Sequence, residues 1–499
     1  MTVSAPLQRD VGLAHRIDAT LHPDPARVLP RLFLPGEEFE VTRSRSDGVI
    51  RRILELSEDE VETLVGDLIA HGATRHYHYT EMLLQHAATV RAHISNAGEV
   101  SPARQLLIGA SFTSEVAVEG GALCNPSAVP HPDQSGLGDG QLRLALSVRG
   151  IAEGHISSIG FTTAIVGPGP RWEFEPRTLP ITSPIVTEAK WSRVHLRRAL
   201  DDLDRLDEFA YAVLGRLEEM FSRKKFDTAV ARAQHGPYGN RRIIETTAVM
   251  HTVLLSGYQA TFPSDVSLDQ QVLFPHSPEE SKGIEDARFV LFTDDDGEQS
   301  YRATYTAYDG HAIAPRLIVS ADLRSFRTQR FAGAAAVNKG MALFPRRING
   351  QHLALCRSDG ETTSVATSDD GIVWDESVAI HPPDLDWELL QVGNCGPPLE
   401  TEHGWLVLTH GVGPMRTYSI GAILLDLDDP RRVLRRLTTP LLRPLPSETE
   451  GYVPNVVYSC GGIIHNGLLW IPYGIGDARI GVAWAEVDAL IAHMEPVTQ

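Results

Sequence analysis

Cysteine is scarce in this chain, with four residues in 499 (Cys124, Cys356, Cys395 and Cys460) and no C-x-x-C pair among them. That spacing argues against a zinc knuckle and predicts reduced, half-buried thiols in a reducing compartment. Basic residues are also in short supply: 45 Lys and Arg stand against 64 Asp and Glu, a formal net charge of −19. Nucleic-acid phosphates repel such a surface unless cations cluster locally, so no nucleic-acid partner is expected. A few cations converging in a pocket could still hold a single phosphate. No apolar run reaches the roughly 20 residues of a membrane span, and residues 1–10 lack a basic segment followed by an apolar core. The expectation is a cytoplasmic protein with no membrane partner. H-E-x-x-H, G-x-x-x-x-G-K-[ST] and G-x-S-x-G are missing, which leaves no signal for a metal site, a nucleotide cradle or a serine nucleophile.

What is present has the proportions of a soluble globular protein, 42% hydrophobic and 22% charged. The length suits one large domain with insertions, or two to three ordinary ones. Two segments read as helical. In the first, residues 57–93, Ser57 and Glu60 form a capping-box pattern, and Val61, Leu64, Val65, Leu68 and Ile69 follow at helical spacing. The second spans about 188–234, with Leu203, Leu206, Phe209, Ala210, Val213 and Leu217 on one face. Both read as packing helices without a catalytic role.

Elsewhere short apolar runs such as Leu142–Val148, Leu353–Cys356 and Leu468–Ile471 are separated by Gly, Asp and Asn turns. That pattern suits a sandwich, barrel or propeller. A weak repeat favours the propeller: Ser320-x-Asp322-x-x-x-Phe326 recurs as Ser368-x-Asp370-x-x-x-Trp374, each after an apolar strand. Such a Ser/Asp turn pinned by an aromatic is a natural hairpin tip.

The stretch richest in chemistry is Gly283-Ile284-Glu285-Asp286-Ala287-Arg288, followed by the aromatic run Tyr301–Gly310. On a regular strand Asp286 and Arg288 share one face and Glu285 takes the other. Tyr305, Tyr308 and Asp309 suit a sugar-binding wall, whereas the plainer alternative is a surface turn with a salt bridge. Asn125, Arg149, Lys339, His410 and Asp477 are polar residues at the ends of otherwise apolar runs. Each alone reads as a strand end reaching solvent, but together they match the place where a propeller builds its axial site.

These stretches resemble glycoside hydrolase family 130, the β-mannoside phosphorylases and mannosidases. The match continues, in order, through Lys339-Gly340-Met341-Ala342-Leu343-Phe344-Pro345, Pro397–Trp405, Thr409-His410-Gly411, Gly421–Pro430, Glu450–Tyr458 and Tyr473–Asp477. Asn125-Pro126 and Arg149 extend it backwards. The resemblance implies a mainly β fold, a five-bladed propeller with added helical segments. Residues 1–120 would lead in, 121–187 begin the propeller, 188–240 form a helical insertion and 241–490 complete it. It also implies an inverting enzyme with Asp286 as general acid, its proton reaching the leaving oxygen through a mannosyl hydroxyl. Asn125, Asp309 and Asp477 are then sugar contacts, with Arg288 and Tyr305 also expected to bind substrate. Arg149, Lys339 and His410 become the phosphate site, with Arg316 beside them. Ala287 departs from the family, which usually has Pro there. The helical segments are extra to its compact members and are candidates to cover the funnel or to join copies in a homo-oligomer.

An inverting hydrolase needs a second carboxylate about 6.5–9.5 Å from the acid, with room for water, and Glu285, Glu388 and Glu450 are candidates. A phosphorylase needs converging cations instead, each charge-assisted hydrogen bond contributing about 1.5–3 kcal/mol. The cation set favours phosphorolysis of a β-mannoside oligosaccharide or glycoconjugate to α-mannose 1-phosphate, or the reverse synthesis. Inorganic phosphate would be co-substrate, and no cofactor or metal is expected. A β-mannosidase is the first alternative and a non-catalytic glycan-binding propeller the second.

Overall fold

Alternating apolar residues and polar turns give antiparallel hairpins, and the computed structural model, which describes residues 11–35, 42–92 and 100–497, is mainly β. Among the described residues, four sheets have four or more strands. The elements that position the site are β1 (His15–Leu21), β2 (Ala122–Pro130), β3 (Leu142–Ile151), β4 (Ser157–Val166), β5 (Gly283–Thr293), β6 (Gln299–Tyr308), β7 (Ile313–Ser320), β8 (His352–Cys356), β9 (Gly404–Val412), β10 (Leu468–Ile475) and β11 (Arg479–Glu486).

The largest sheet, of eleven strands, contains β2-β3-β4 and β5-β6-β7 as two antiparallel runs. The runs meet through a single parallel pair, Gly283 with Ser157. β8 lies in a four-stranded sheet, β9 in a six-stranded one, and β10 and β11 in a five-stranded one whose edge is β1. That edge pairs the start of the chain with its end, His15 with Trp484 and Ile17 with Val482. Strands such as β9, buried along their whole length, read as continuous apolar runs because both faces are covered.

The repeated hairpin tip is present at both predicted positions. Ser320 Oγ accepts from Leu323 N at 2.9 Å, and Asp322 Oδ1 accepts from Arg324 N and Ser325 N at 2.9 Å. Ser368 and Asp370 make the same bonds to Gly371 N (2.9 Å), Ile372 N (2.8 Å) and Val373 N (2.9 Å). Leu323 and Gly371, each third after the serine, both have positive φ, and Phe326 and Trp374 are fully buried. A local turn and an aromatic anchor therefore suffice to set these tips.

Helices occur in two groups. α1 (Thr42–Glu55), α2 (Glu58–Gly72), α3 (Tyr79–Ala92) and α4 (Pro102–Ser111) share a core that includes Ile53, Val61, Val65 and Phe112. The Ser57–Glu60 capping box forms as predicted at the start of α2, whereas the predicted end at His93 lies outside the described residues. The second group comprises α5 (Arg193–Asp202), α6 (Glu208–Leu214), α7 (Arg223–Ala233) and α8 (Asn240–Leu255). Here the single helical face predicted over 188–234 is corrected. Leu203 and Leu206 lie in a turn, because Asp207 accepts from Ala210 N at 2.8 Å and starts a new helix. Helix also continues past the expected boundary at 240, to Leu255. The four cysteines are free and fully buried, deeper than the half-burial expected.

Candidate active site

Two β-bulges make the site. The β2–β3 register shifts between Cys124 and Ser127, and the β5–β6 register shifts between Glu285 and Arg288. Each bulge holds a short polar residue at positive φ, Asn125 at 50° and Asp286 at 57°. Asn and Asp tolerate this left-handed region better than most residues, and a bulge turns a side chain away from its regular face. The side chains meet: Asn125 Nδ2 donates to Asp286 Oδ1.

The expected alternation at Glu285-Asp286 is therefore overturned, since both carboxylates reach the same guanidinium. Arg149 Nη1 donates to Asp286 Oδ1 at 3.1 Å, Nη2 donates to Glu285 Oε1 at 2.7 Å, and Nε donates to Ser157 Oγ at 2.9 Å. Lys339 Nζ bonds the other oxygen of Glu285. Glu285 thus bridges two cations, one of which, Arg149, also bonds Asp286.

Asp286 is 8% exposed. Burial alone would push its pKa up, but Arg149, then Arg288 and Lys339, outweigh it and hold the carboxyl well below the usual carboxylate range. Asp477 differs. At positive φ in the turn between β10 and β11, it is pushed up to about 6 by burial and by the charge of Asp286, against the pull of Arg149. Two neighbouring carboxyls thus have their titrations driven apart, a pattern common where protons are handled.

Three expected ligands take other roles. Arg288 is fully buried and spends its donors inside the protein: Nη1 on the Asp286 carbonyl, Nε on the Cys395 carbonyl and Nη2 on Tyr458 Oη, each at 2.8 Å. It braces the bulge from within. Arg316 does not join the other cations. Its guanidinium is 0% exposed and bonds Glu280 at 2.7 Å, Glu279 at 2.6 Å and Ser277 Oγ at 3.0 Å. Tyr305 belongs to the same cluster, its hydroxyl donating to Glu280 at 2.7 Å, so its ring is core and not a sugar wall.

His410 is brought to the site but not as a cation. Burial, then Arg357 and Arg288, press its pKa well below the ordinary value. Its Nδ1 donates to the Asn394 carbonyl at 3.2 Å, so Nε2 is the acceptor for Arg357 Nη1 at 2.9 Å. The cation sequence reasoning missed is Arg357. It follows the apolar strand β8 as Arg149 ends its own apolar run, and that shared pattern was the available signal. Asn394 was missed as well; its Nδ2 donates to the Gly340 carbonyl at 2.9 Å and ties down the Lys339 loop. Buried Asn125 Oδ1, Asn394 Oδ1 and Arg357 Nε have no hydrogen-bond partner within the protein, a costly state that a polar ligand would relieve.

Asp309 ends β6 in a turn, its Oδ1 accepting from His311 N at 2.8 Å and Ala312 N at 2.7 Å. It lies beside the start of β5, where Gly283 pairs with Tyr308. Of the carboxylates considered as bases, Glu285 is taken by its two cations. Glu388 is 0% exposed and set against His381 at 3.2 Å, and Glu450 is exposed. No cluster of three or more metal-ligating side chains occurs among the described residues, and no helix is long and apolar enough to cross a membrane.

Asp286 is thus buried beside the Arg149 guanidinium, and Glu285 bridges that guanidinium to the Lys339 ammonium in a mainly β frame. A family profile described as beta-1,4-mannooligosaccharide phosphorylase, of glycoside hydrolase family 130, matches residues 251–496. A 1,2-beta-oligomannan phosphorylase of Thermoanaerobacter sp. (strain X514) is 35% identical over 224 residues, covering 44% of this chain and 74% of that protein. A beta-1,2-mannobiose phosphorylase of Listeria innocua is 30% identical over 239 residues, 46% of this chain and 65% of that one. A solved structure of a Listeria innocua beta-1,2-mannobiose phosphorylase with beta-1,2-mannobiose aligns at 22% identity and a TM-score of 0.44, covering 76% and 93% of the two chains. This chain belongs to glycoside hydrolase family 130.

Proposed function

We propose that the chain is an inverting β-mannoside phosphorylase that uses inorganic phosphate as co-substrate and no other cofactor. The observation that carries this reading is the Arg149–Glu285–Lys339 bridge beside Asp286. It gathers two cations next to the acid and occupies Glu285, one of the carboxylates that could serve as a hydrolytic base. Arg357, set by His410, extends the positive side of the site. The relatives named above as phosphorylases support the same assignment.

A phosphate dianion held by Arg149 and Lys339 offsets the charges that keep Asp286 ionised, so its binding favours proton uptake by Asp286. A phosphate oxygen then attacks the anomeric carbon from the face opposite the leaving group. The carbon–oxygen bond of the mannoside breaks, and the Asp286 proton passes to the leaving oxygen through a mannosyl hydroxyl. The products are α-mannose 1-phosphate and the shortened sugar. Asn125, Asp309 and Asp477 are assigned to the mannosyl unit.

A five-bladed propeller is part of this proposal. What supports it is that the eleven-stranded sheet divides at one parallel pair, making five antiparallel groups with the other three large sheets, and that β1 pairs with β11. A cytoplasmic location is proposed as well, supported by the four free, buried cysteines, which suit a reducing compartment. The test is incubation with β-mannobioses with and without phosphate. Mannose 1-phosphate released only when phosphate is present is the expected result, and free mannose without phosphate would overturn it.

A further inference from the structure

His155 and Tyr452 have no part in the site described so far. His155 lies at φ 61° in the turn joining β3 and β4, the strands that carry Arg149 and the Ser157 that holds it. Tyr452 lies in the segment joined to the β10–β11 turn that carries Asp477. Val453 N donates to the Gly476 carbonyl at 2.9 Å, and a Cβ on Gly451 would lie only 2.2 Å from that same oxygen. Glycine at 451 is therefore required for this close approach, and Tyr452 follows it directly. The two segments meet where Tyr452 Oη and His155 Nδ1 share a hydrogen bond, with ring centroids 5.8 Å apart.

The pair spans from the Arg149 side to the Asp477 side. Asn125 and Asp286 are 7% and 8% exposed, whereas Tyr452 is 41% exposed. A leaving-group sugar extending from Asp286 toward solvent on the Asp477 side would lie against this pair. Aromatic rings present a flat apolar face to sugar C–H groups while their polar edges stay wet.

We infer that His155 and Tyr452 form the outer wall of the sugar site and hold the sugar on the leaving-group side of the scissile bond. The inference rests on the phosphorylase reading above. The test is synthesis from mannose 1-phosphate and an acceptor mannose or mannobiose, following phosphate release, in wild type, Tyr452→Ala, Tyr452→Phe and His155→Ala. Loss of the Tyr452 ring should raise the acceptor KM about tenfold, the equivalent of a 1.4 kcal/mol contact, and leave the KM for mannose 1-phosphate within about twofold. Tyr452→Phe, which keeps the ring, should recover most of the affinity, and His155→Ala should fall between. An unchanged acceptor KM in Tyr452→Ala, or an equal rise in both KM values, overturns the assignment while leaving phosphorolysis standing. A wild type that makes and breaks no β-mannoside with phosphate, and binds no β-mannobiose by calorimetry, removes the underlying reading as well.

Discussion

Two carboxylate–arginine clusters, both reached by β5–β6–β7 and the segment before them, show how one kind of interaction serves two ends. At Glu280, Arg316, Tyr305, Tyr258 and Ser277 meet the carboxylate, and both Glu280 and Arg316 are 0% exposed. Burial would push the Glu280 pKa up, but Arg316 and backbone N–H groups outweigh it. At Asp286 the acid sits at positive φ on a bulge, one cationic partner is 38% exposed, and a second carboxyl is held near pH 6. The first cluster is buried, with Arg316 Nε lacking a partner among the described residues, and its side chains pack into the core. The second keeps a residue at positive φ, a partly exposed cation and opposed titrations, features that cluster at functional sites.

The contrast can be broken at either cluster. Asp286→Asn should lower phosphate-dependent turnover by about 10³-fold or more, with the thermal midpoint unchanged, because the amide oxygen can still accept from Arg149 and Asn125. A large fall in melting temperature would mean that Asp286 belongs with the structural cluster. Arg316→Met leaves Glu280 charged, buried and unpaired, and should cost about 3–5 kcal/mol in chemical denaturation. Adding Glu280→Gln should restore much of that loss. If Arg316→Met instead altered only the phosphate KM, the separation of the two clusters would be wrong.

Smaller effects sharpen the comparison. Lys339→Ala removes one charge-assisted contact and should raise the phosphate KM about 10–100-fold, with a lesser effect on turnover at saturating phosphate. Asp477 titrates near 6 in the fold and near 3.9 in an unfolded chain. Its contribution to stability is therefore present below about pH 4 and lost as pH rises through 6. Asp477→Asn should be more stable than wild type at pH 7 by about 1–3 kcal/mol, the difference vanishing near pH 4. Denaturation midpoints at the two pH values check the sign.

Much of this was legible in the chain. The Ser320/Asp322 and Ser368/Asp370 tips and the Ser57–Glu60 cap are built from bonds within a few residues, so local chemistry decides them. Asp286, Asn125, Arg149 and Lys339 were singled out in advance and the fold joins them. Arg316 and Tyr305 face the core and not the site, since an alternating strand presents its two faces differently and sequence does not say which is which. Their partner Glu280 lies 36 and 25 residues away, with nothing local to mark it. His410 reads as a cation in sequence, but a histidine's charge depends on burial and on neighbours that sequence does not name, here Arg357.

The sequence by itself determined a cysteine-poor, acidic, mainly β chain, its hairpin tips, and the ordered motifs of its family, because composition and short-range hydrogen bonding carry that information. Tertiary structure alone decided that a bulge lets Glu285 and Asp286 reach the same guanidinium, that Arg357 bonds His410 while Arg316 bonds Glu280, and which carboxyl is held charged. Those outcomes depend on burial and on charges brought together from distant segments, and Coulomb energy in a desolvated setting is set by distance in space and not by separation along the chain.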